Sequence, residues 1–216
     1  MKNMIKVGLT GNRYSGKDVC SKIFQQIDVP VFNADIVLKF ILNYNYEINY
    51  KIRNAFGDVF SLNGDLLDIN KFSEKRKFDD LIDIIEYELL NAYNEFNKRN
   101  KQKIYTIFHS SILFEREWHK IMDYNICVFS SKEERINRCK KITNLEEYRL
   151  KQLMGSEMGD LVKNSLSDFI ISNYSLDVNI HGDTFDQINK IDQEIIDKYL
   201  IREQTIYGED CNPNLV

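Results

Sequence analysis

The sequence predicts an α/β fold, a five-stranded parallel sheet with helices on both faces. Five short runs rich in β-branched and aromatic residues, at 5–9, 29–32, 104–108, 124–129 and 168–172, carry that expectation. Between them the apolar residues recur every three or four positions, the helical period. Strands separated by helices are joined by crossovers, so neighbouring strands run parallel and the helices cover the sheet. A glycine-bearing turn that leaves the first run at Gly11 and enters a helix near Lys17 is the third observation, because such sheets bind ligands at the carboxyl ends of their strands.

Taken in order, the first run, Ile5-Lys6-Val7-Gly8-Leu9-Thr10, is apolar enough for a strand buried on both faces, and Val19, Ile23 and Phe24 share one face of the helix after it. The second strand closes on Val31-Phe32-Asn33-Ala34-Asp35, and Ile36, Val37, Leu38 and Phe40 begin another helix. A long helical insertion, 43–101, then separates the second and third strands and is the place for an acceptor-binding subdomain. Its clearest helix covers 79–99, with Ile82, Ile85, Leu89, Tyr93 and Phe96 on one stripe and Lys98 and Arg99 in the last turn, where positive charge complements the helix dipole. After the fourth strand Ser131 and Glu134 have the spacing of a capping box. Ile188, Ile191, Ile195 and Tyr199 line a closing helix over 185–200, and the tail 202–216, with Gly208, Asn212 and Pro213, is expected to be loose. The expected organisation is one domain over 1–201, with its core at 1–42, 102–130 and 164–201.

At 216 residues and 43% hydrophobic content the chain can bury one substantial core. A net charge of −4 and a pI near 5.5 give no broad basic surface, so nucleic acid is not an expected partner and any phosphate site must be local. No apolar run approaches the roughly 18–20 residues that cross a bilayer, and nothing resembles a signal peptide. A cytoplasmic protein without membrane partners is expected, as a monomer or weak homo-oligomer. Cys20, Cys127, Cys139 and Cys211 lack metal-ligand spacing and are expected to be reduced thiols.

Gly11-Asn12-Arg13-Tyr14-Ser15-Gly16-Lys17-Asp18 has the Gly-x4-Gly-Lys spacing of a phosphate-binding loop. The N–H groups from Asn12 through Val19 and the helix N-terminus would surround polyphosphate, with Lys17 on the outer phosphates. An ordinary glycine turn is the plain alternative, but a β-rich strand before it and an amphipathic helix after it favour a P-loop NTPase with ATP as ligand. The eighth position departs from the pattern: a Ser or Thr hydroxyl normally ligates Mg2+ there, and here stands Asp18. Magnesium accepts carboxylate readily, so Asp18 is the candidate metal ligand, directly or through water. Without the metal, Asp18 would repel the triphosphate, so ATP binding is expected to depend strongly on Mg2+. Asp35, just past the second strand, is placed to accept or orient a hydroxyl proton in phosphoryl transfer, although a first-turn acid favoured by the helix dipole looks the same.

Several segments follow the order and spacing of dephospho-coenzyme A kinases: Lys6-Val-Gly-Leu-Thr-Gly11, the loop, Val29-Pro-Val-Phe-Asn-Ala-Asp35, Ala55-Phe-Gly-Asp-Val-Phe60, Leu62-Asn-Gly-Asp-Leu-Leu-Asp68, Ile112-Leu-Phe-Glu115 and Asp168-Phe-Ile-Ile-Ser-Asn173. Over about 4–175 the chain resembles that family. The resemblance implies a nucleoside-monophosphate-kinase-like fold and transfer of the ATP γ-phosphate to the ribose 3′-hydroxyl of dephospho-coenzyme A. It also implies a helical lid at 131–163 that closes over ATP. Asp35 matches the family's catalytic acid, acting with Lys17; the family usually has Asp-Ala-Asp there, and Asn33 replaces the first acid. Arg138 matches a lid arginine near the nucleotide, Lys163 a basic position near the phosphates, and Asn173 part of a loop beside the adenine, although Tyr174 stands for an expected glycine. Arg135, Lys140, Lys141 and Arg149 read as a solvated charged face.

On the acceptor side, Tyr87-Glu88 represents a typical His-Pro pair, and Ser111 replaces a proline. His109, just past the third strand, reads chiefly as a structural hydrogen-bonding residue. Loops ending Gly-Lys-Asp also look like those of phage deoxynucleoside monophosphate kinases and animal phosphomevalonate kinases, so a nucleoside monophosphate is the alternative acceptor. A nucleotide-binding protein without turnover is a third reading, disfavoured by the presence of both Lys17 and Asp35.

Overall fold

A computed structural model describes residues 4–57, 59–60, 67, 72, 75–143, 154–155, 157–174 and 181–208. The chain forms two compact units, Met1–Val31 with Asn100–Val216, and Phe32–Arg99.

In the first unit β1 (Ile5–Thr10) pairs in parallel with β3 (Tyr105–His109) on one side and β4 (Tyr124–Phe129) on the other, and β5 (Phe169–Ser172) adds in parallel to β4. The sheet order is β2-β3-β1-β4-β5, with β2 at Val31–Asn33. The strand itself begins later than the sequence pattern predicts, although the Pro30 carbonyl already accepts from the Ile107 N–H at 2.9 Å. The N–H of Val29 donates to the Phe24 carbonyl at the close of α1 (Lys17–Gln26), and Pro30 has no N–H to offer. Central position explains why β1 reads as nearly continuous apolar sequence: Val7 and Leu9 are fully buried, with Ile107, Ile126 and Ile171 from its neighbours. Cys20, Ile23 and Phe24 of α1 join the same core, as do Ile188, Ile191, Ile195 and Tyr199 of α7 (His181–Gly208). Gln187 of α7 accepts from the Ser172 N–H at 2.8 Å and donates to its carbonyl at 3.1 Å, which occupies backbone groups at the outer edge of β5.

The closing helix corrects the sequence expectation. It runs to Gly208, because no helix breaker precedes that glycine, so 202–208 are helical; residues 209–216, with Cys211, Asn212 and Pro213, lie outside the described residues. Cys20, Cys127 and Cys139 are free and buried. Among the described residues no helix is long and apolar enough to cross a membrane.

The second unit holds α2 (Ala34–Tyr44), α3 (Tyr46–Phe56) and α4 (Lys75–Arg99). Asn33 and Asn45 cap the first two, accepting from the N–H of Ile36 at 3.0 Å and of Ile48 at 3.1 Å. Phe32 packs on Tyr93 and Phe96 of α4, with ring centroids 5.3 and 5.6 Å away, and Leu81, Ile85 and Leu89 are fully buried. Apart from Leu67, the motif at 62–68 lies outside the described residues.

Candidate active site

β1 delivers the chain to Gly11, where a Cβ would lie 2.5 Å from Ser15 Oγ and 2.6 Å from the Val128 carbonyl oxygen; only glycine allows the turn to close. The Ser15 N–H returns to the Asn12 carbonyl at 3.0 Å. Gly16 takes φ 99° and becomes the N-cap of α1, and it brings no side chain to that helix terminus. The first N–H groups of α1 therefore have no side-chain cap, the arrangement in which helix N-termini take anions. Thr10 Oγ1, Asn12 Oδ1 and Ser15 Oγ are buried and have no hydrogen-bond partner among the described residues. The two hydroxyls can donate to a polyphosphate ligand; the Asn12 oxygen, an acceptor, cannot.

Two arginines three residues apart, and so on one face, reach the loop from α5 (Lys132–Ile142). Both halves of the capping box form: Ser131 Oγ accepts from the Glu134 N–H at 3.2 Å, and Glu134 Oε2 accepts from the Ser131 N–H at 3.1 Å. Arg138 Nη1 donates to the carbonyls of Tyr14 and Ser15, each at 3.0 Å, and its Nη2 donates to the Asn173 carbonyl at 2.7 Å. Burial lowers the pKa of Arg138 from its ordinary value. The Asn173 amide adds a bond to the Ser15 carbonyl at 2.8 Å. Arg135 Nη1 donates to the Arg13 carbonyl at 3.3 Å and to Glu157 Oε2 at 2.7 Å, and Nη2 lies 3.4 Å from Asp160 Oδ2. Glu157 Oε1 accepts from the Arg13 N–H at 2.9 Å, while the Asn12 amide donates to the Met158 carbonyl at 3.0 Å and to Asp160 Oδ1 at 2.7 Å.

The chemical consequence follows from peptide planarity. In a trans peptide the C=O and the next N–H point in opposite directions. Turning the carbonyls of Arg13 and Ser15 toward guanidinium groups therefore turns the N–H groups of Tyr14 and Gly16 the other way, away from the arginines, the orientation an anion-binding nest requires.

Of the other residues singled out by sequence, Lys17 is buried in the first turn of α1, and Val19 is exposed. The Asp18 side chain is 74% exposed, and its Oδ1 lies 3.5 Å from Nε2 of the fully buried His109. Lys163, on α6 (Asp160–Ser165), is buried; its Nζ lies 2.8 Å from Glu115 Oε1 and donates to the Ser111 carbonyl at 3.2 Å. Asp35 belongs to the second unit, half-buried in the first turn of α2.

A dephospho-CoA kinase family model matches residues 5–177. The chain belongs to the dephospho-CoA kinase family. The dephospho-CoA kinase of Clostridium perfringens is 28% identical over 179 residues, covering 79% of this chain and 89% of the relative. Among solved structures, TT1252 from Thermus thermophilus superposes with a TM-score of 0.76 at 19% identity, covering 89% of this chain and 98% of that one. A dephospho-CoA kinase from Campylobacter jejuni superposes with a TM-score of 0.60 at 19% identity, covering 88% and 96%. At such identities the structural likeness is one of fold, the parallel sheet with flanking helices described above. As a dephospho-CoA kinase family member, the chain is an ATP-dependent kinase, a phosphotransferase.

Sequence reasoning misjudged one residue of this kinase. Arg135, expected on a solvated face, is 3% exposed, because two carboxylates and a loop carbonyl meet its charge. Its place one helical turn before Arg138 was the available signal. Glu157 and Asp160 were missed altogether, since their only distinction is contact with residues far away in the chain. Lys140 and Lys141 are exposed as expected, and Arg149 lies outside the described residues.

Proposed function

We propose that the chain transfers the γ-phosphate of ATP to the ribose 3′-hydroxyl of dephospho-coenzyme A, in the cytoplasm. The observation that best supports this is the oriented phosphate loop, with its carbonyls on Arg135, Arg138 and Asn173, inside a family match that spans both units. The N–H groups of residues 12–19 hold the triphosphate, and Lys17 takes the outer phosphates. Arg138 and Asn173 keep the loop in shape beneath the nucleotide, and the 131–163 segment serves as its lid. Asp18 holds Mg2+; the metal, when bound, neutralises charge that builds on the transferring group. Asp35 orients the acceptor hydroxyl and takes its proton in the transfer. It stands two residues past a strand end, the same kind of strand-to-helix junction that carries the loop after β1.

The test is an acceptor screen: the protein with ATP, Mg2+ and either dephospho-coenzyme A or a panel of deoxynucleoside monophosphates, with products read by mass spectrometry and phosphorus NMR. Phosphate on the ribose 3′-hydroxyl is the expected outcome. Phosphate on a monophosphate overturns the acceptor, and phosphate on neither overturns the turnover. For the mechanism, Asp35→Asn should slow turnover by about 10²-fold or more while ATP affinity is retained; undiminished turnover removes Asp35 from it.

A further inference from the structure

We infer that His109 is a positioning residue for the metal site: it anchors one oxygen of the Asp18 carboxylate and so presents the other to the metal of the bound nucleotide. This rests on the reading that Asp18 is the metal ligand. A carboxylate at this position differs from the usual hydroxyl in reach and in having two acceptor oxygens on a rotatable bond. Left alone on an exposed helix turn, it would sample several rotamers, and ordering it would weigh against metal binding.

The fold supplies a fixed partner. His109 is the last residue of β3, whose parallel register sets it beside Leu9, two residues before Gly11. The Ser110 N–H donates to the Leu9 carbonyl at 3.0 Å and carries the pairing one step further. The end of β3 therefore runs beside the entrance to the loop. The imidazole is fully buried while Asp18 is mostly exposed, and Nε2 stands 3.5 Å from Oδ1. Of the two groups the ring is the one held by packing, and the carboxylate is the one that can adjust. At 3.5 Å the pair is in ion-pair range and not yet hydrogen-bonded; a small rotation of the exposed carboxylate would let an Nε2–H donate to Oδ1 and leave Oδ2 for the metal. Burial of the ring separates it from the exposed side of Asp18, so it acts through the carboxylate rather than as a ligand. Partners that orient metal-binding carboxylates in this way matter energetically, and their loss typically costs 10–100-fold in metal affinity, about the range expected here.

The experiment measures binding of Mn2+ with a non-hydrolysable ATP analogue by electron paramagnetic resonance, on the full chain, with thermal melting of each variant alongside. His109→Leu should weaken metal–nucleotide binding by about tenfold or more. His109→Gln, whose amide N–H can donate to the same oxygen, should keep most of the affinity. In an Asp18→Ser background, where no carboxylate needs orienting, His109→Leu should have no further effect. Unchanged affinity in His109→Leu overturns the proposal, and so does an equal loss in the Asp18→Ser background, which would mark a purely structural histidine. Failure of the underlying reading is separately visible: Asp18→Ala would then leave Mn2+ affinity untouched.

Discussion

A methyl group at position 16 would meet the Asn173 amide and would have to hold φ 99°, a conformation that L residues avoid at a cost of about 1–2 kcal/mol. Gly16→Ala should therefore lower the melting temperature and weaken ATP binding together, because the same residue is the helix cap and part of the donor nest. A variant that matches the parent in both melting and ATP titration would show that the loop does not need this conformation. Tyr14 is an instructive contrast, since it holds φ 62° with a full side chain. The neighbouring Cys139, followed by burial, raises the pKa of its hydroxyl above the ordinary value.

At the scale of an element, α5 matters because one short helix carries both arginines that orient the loop. Its N-terminus is held by the reciprocal Ser131–Glu134 bonds. Ser131→Ala removes an acceptor for a first-turn N–H and should destabilise the protein by about 1 kcal/mol. For a chain of this size that is a fall of about 2–4 °C in melting temperature. Ser131→Asp, which can still accept from the same N–H, should recover most of it; equal melting of the Ala and Asp variants would show that the cap does not contribute.

Over the whole molecule, burial sets a pH response. Desolvation pushes the Cys20 thiol up to about 12 and the Cys127 thiol up to about 11. Tyr105 is raised too, first by burial and then by its hydrogen bond to Asp192 at 2.5 Å. In each case the folded state holds its proton more tightly than the unfolded chain, whose thiols titrate near about 8.5. The stability these groups contribute is fully present below that value and is lost as pH rises toward 11 and 12. Melting temperature should accordingly decline above about pH 9, and Cys20→Ala, compared with its parent across the same series, should decline less steeply. Parallel curves for the two proteins would remove Cys20 from the effect.

The order of strands and helices, the phosphate loop and the Ser131 cap were determined by the sequence alone, because each depends on neighbours within a turn or two: apolar period, glycine spacing, a hydroxyl three residues before an acid. Even there, β2 begins late for a local reason that the apolar pattern does not show: the Val29 N–H turns back to the Phe24 carbonyl, and Pro30 has no N–H. Tertiary structure alone decided which charges are buried and which side chains meet. Arg135 and Lys140 look alike in the chain, yet one is 3% exposed against Glu157 and the other lies at the surface. His109 reaches Asp18 only because the register of β3 on β1 brings its last residue to the loop. Burying a charge is tolerated when a counter-charge arrives from a distant segment, and that arrival is a property of packing that no local pattern encodes.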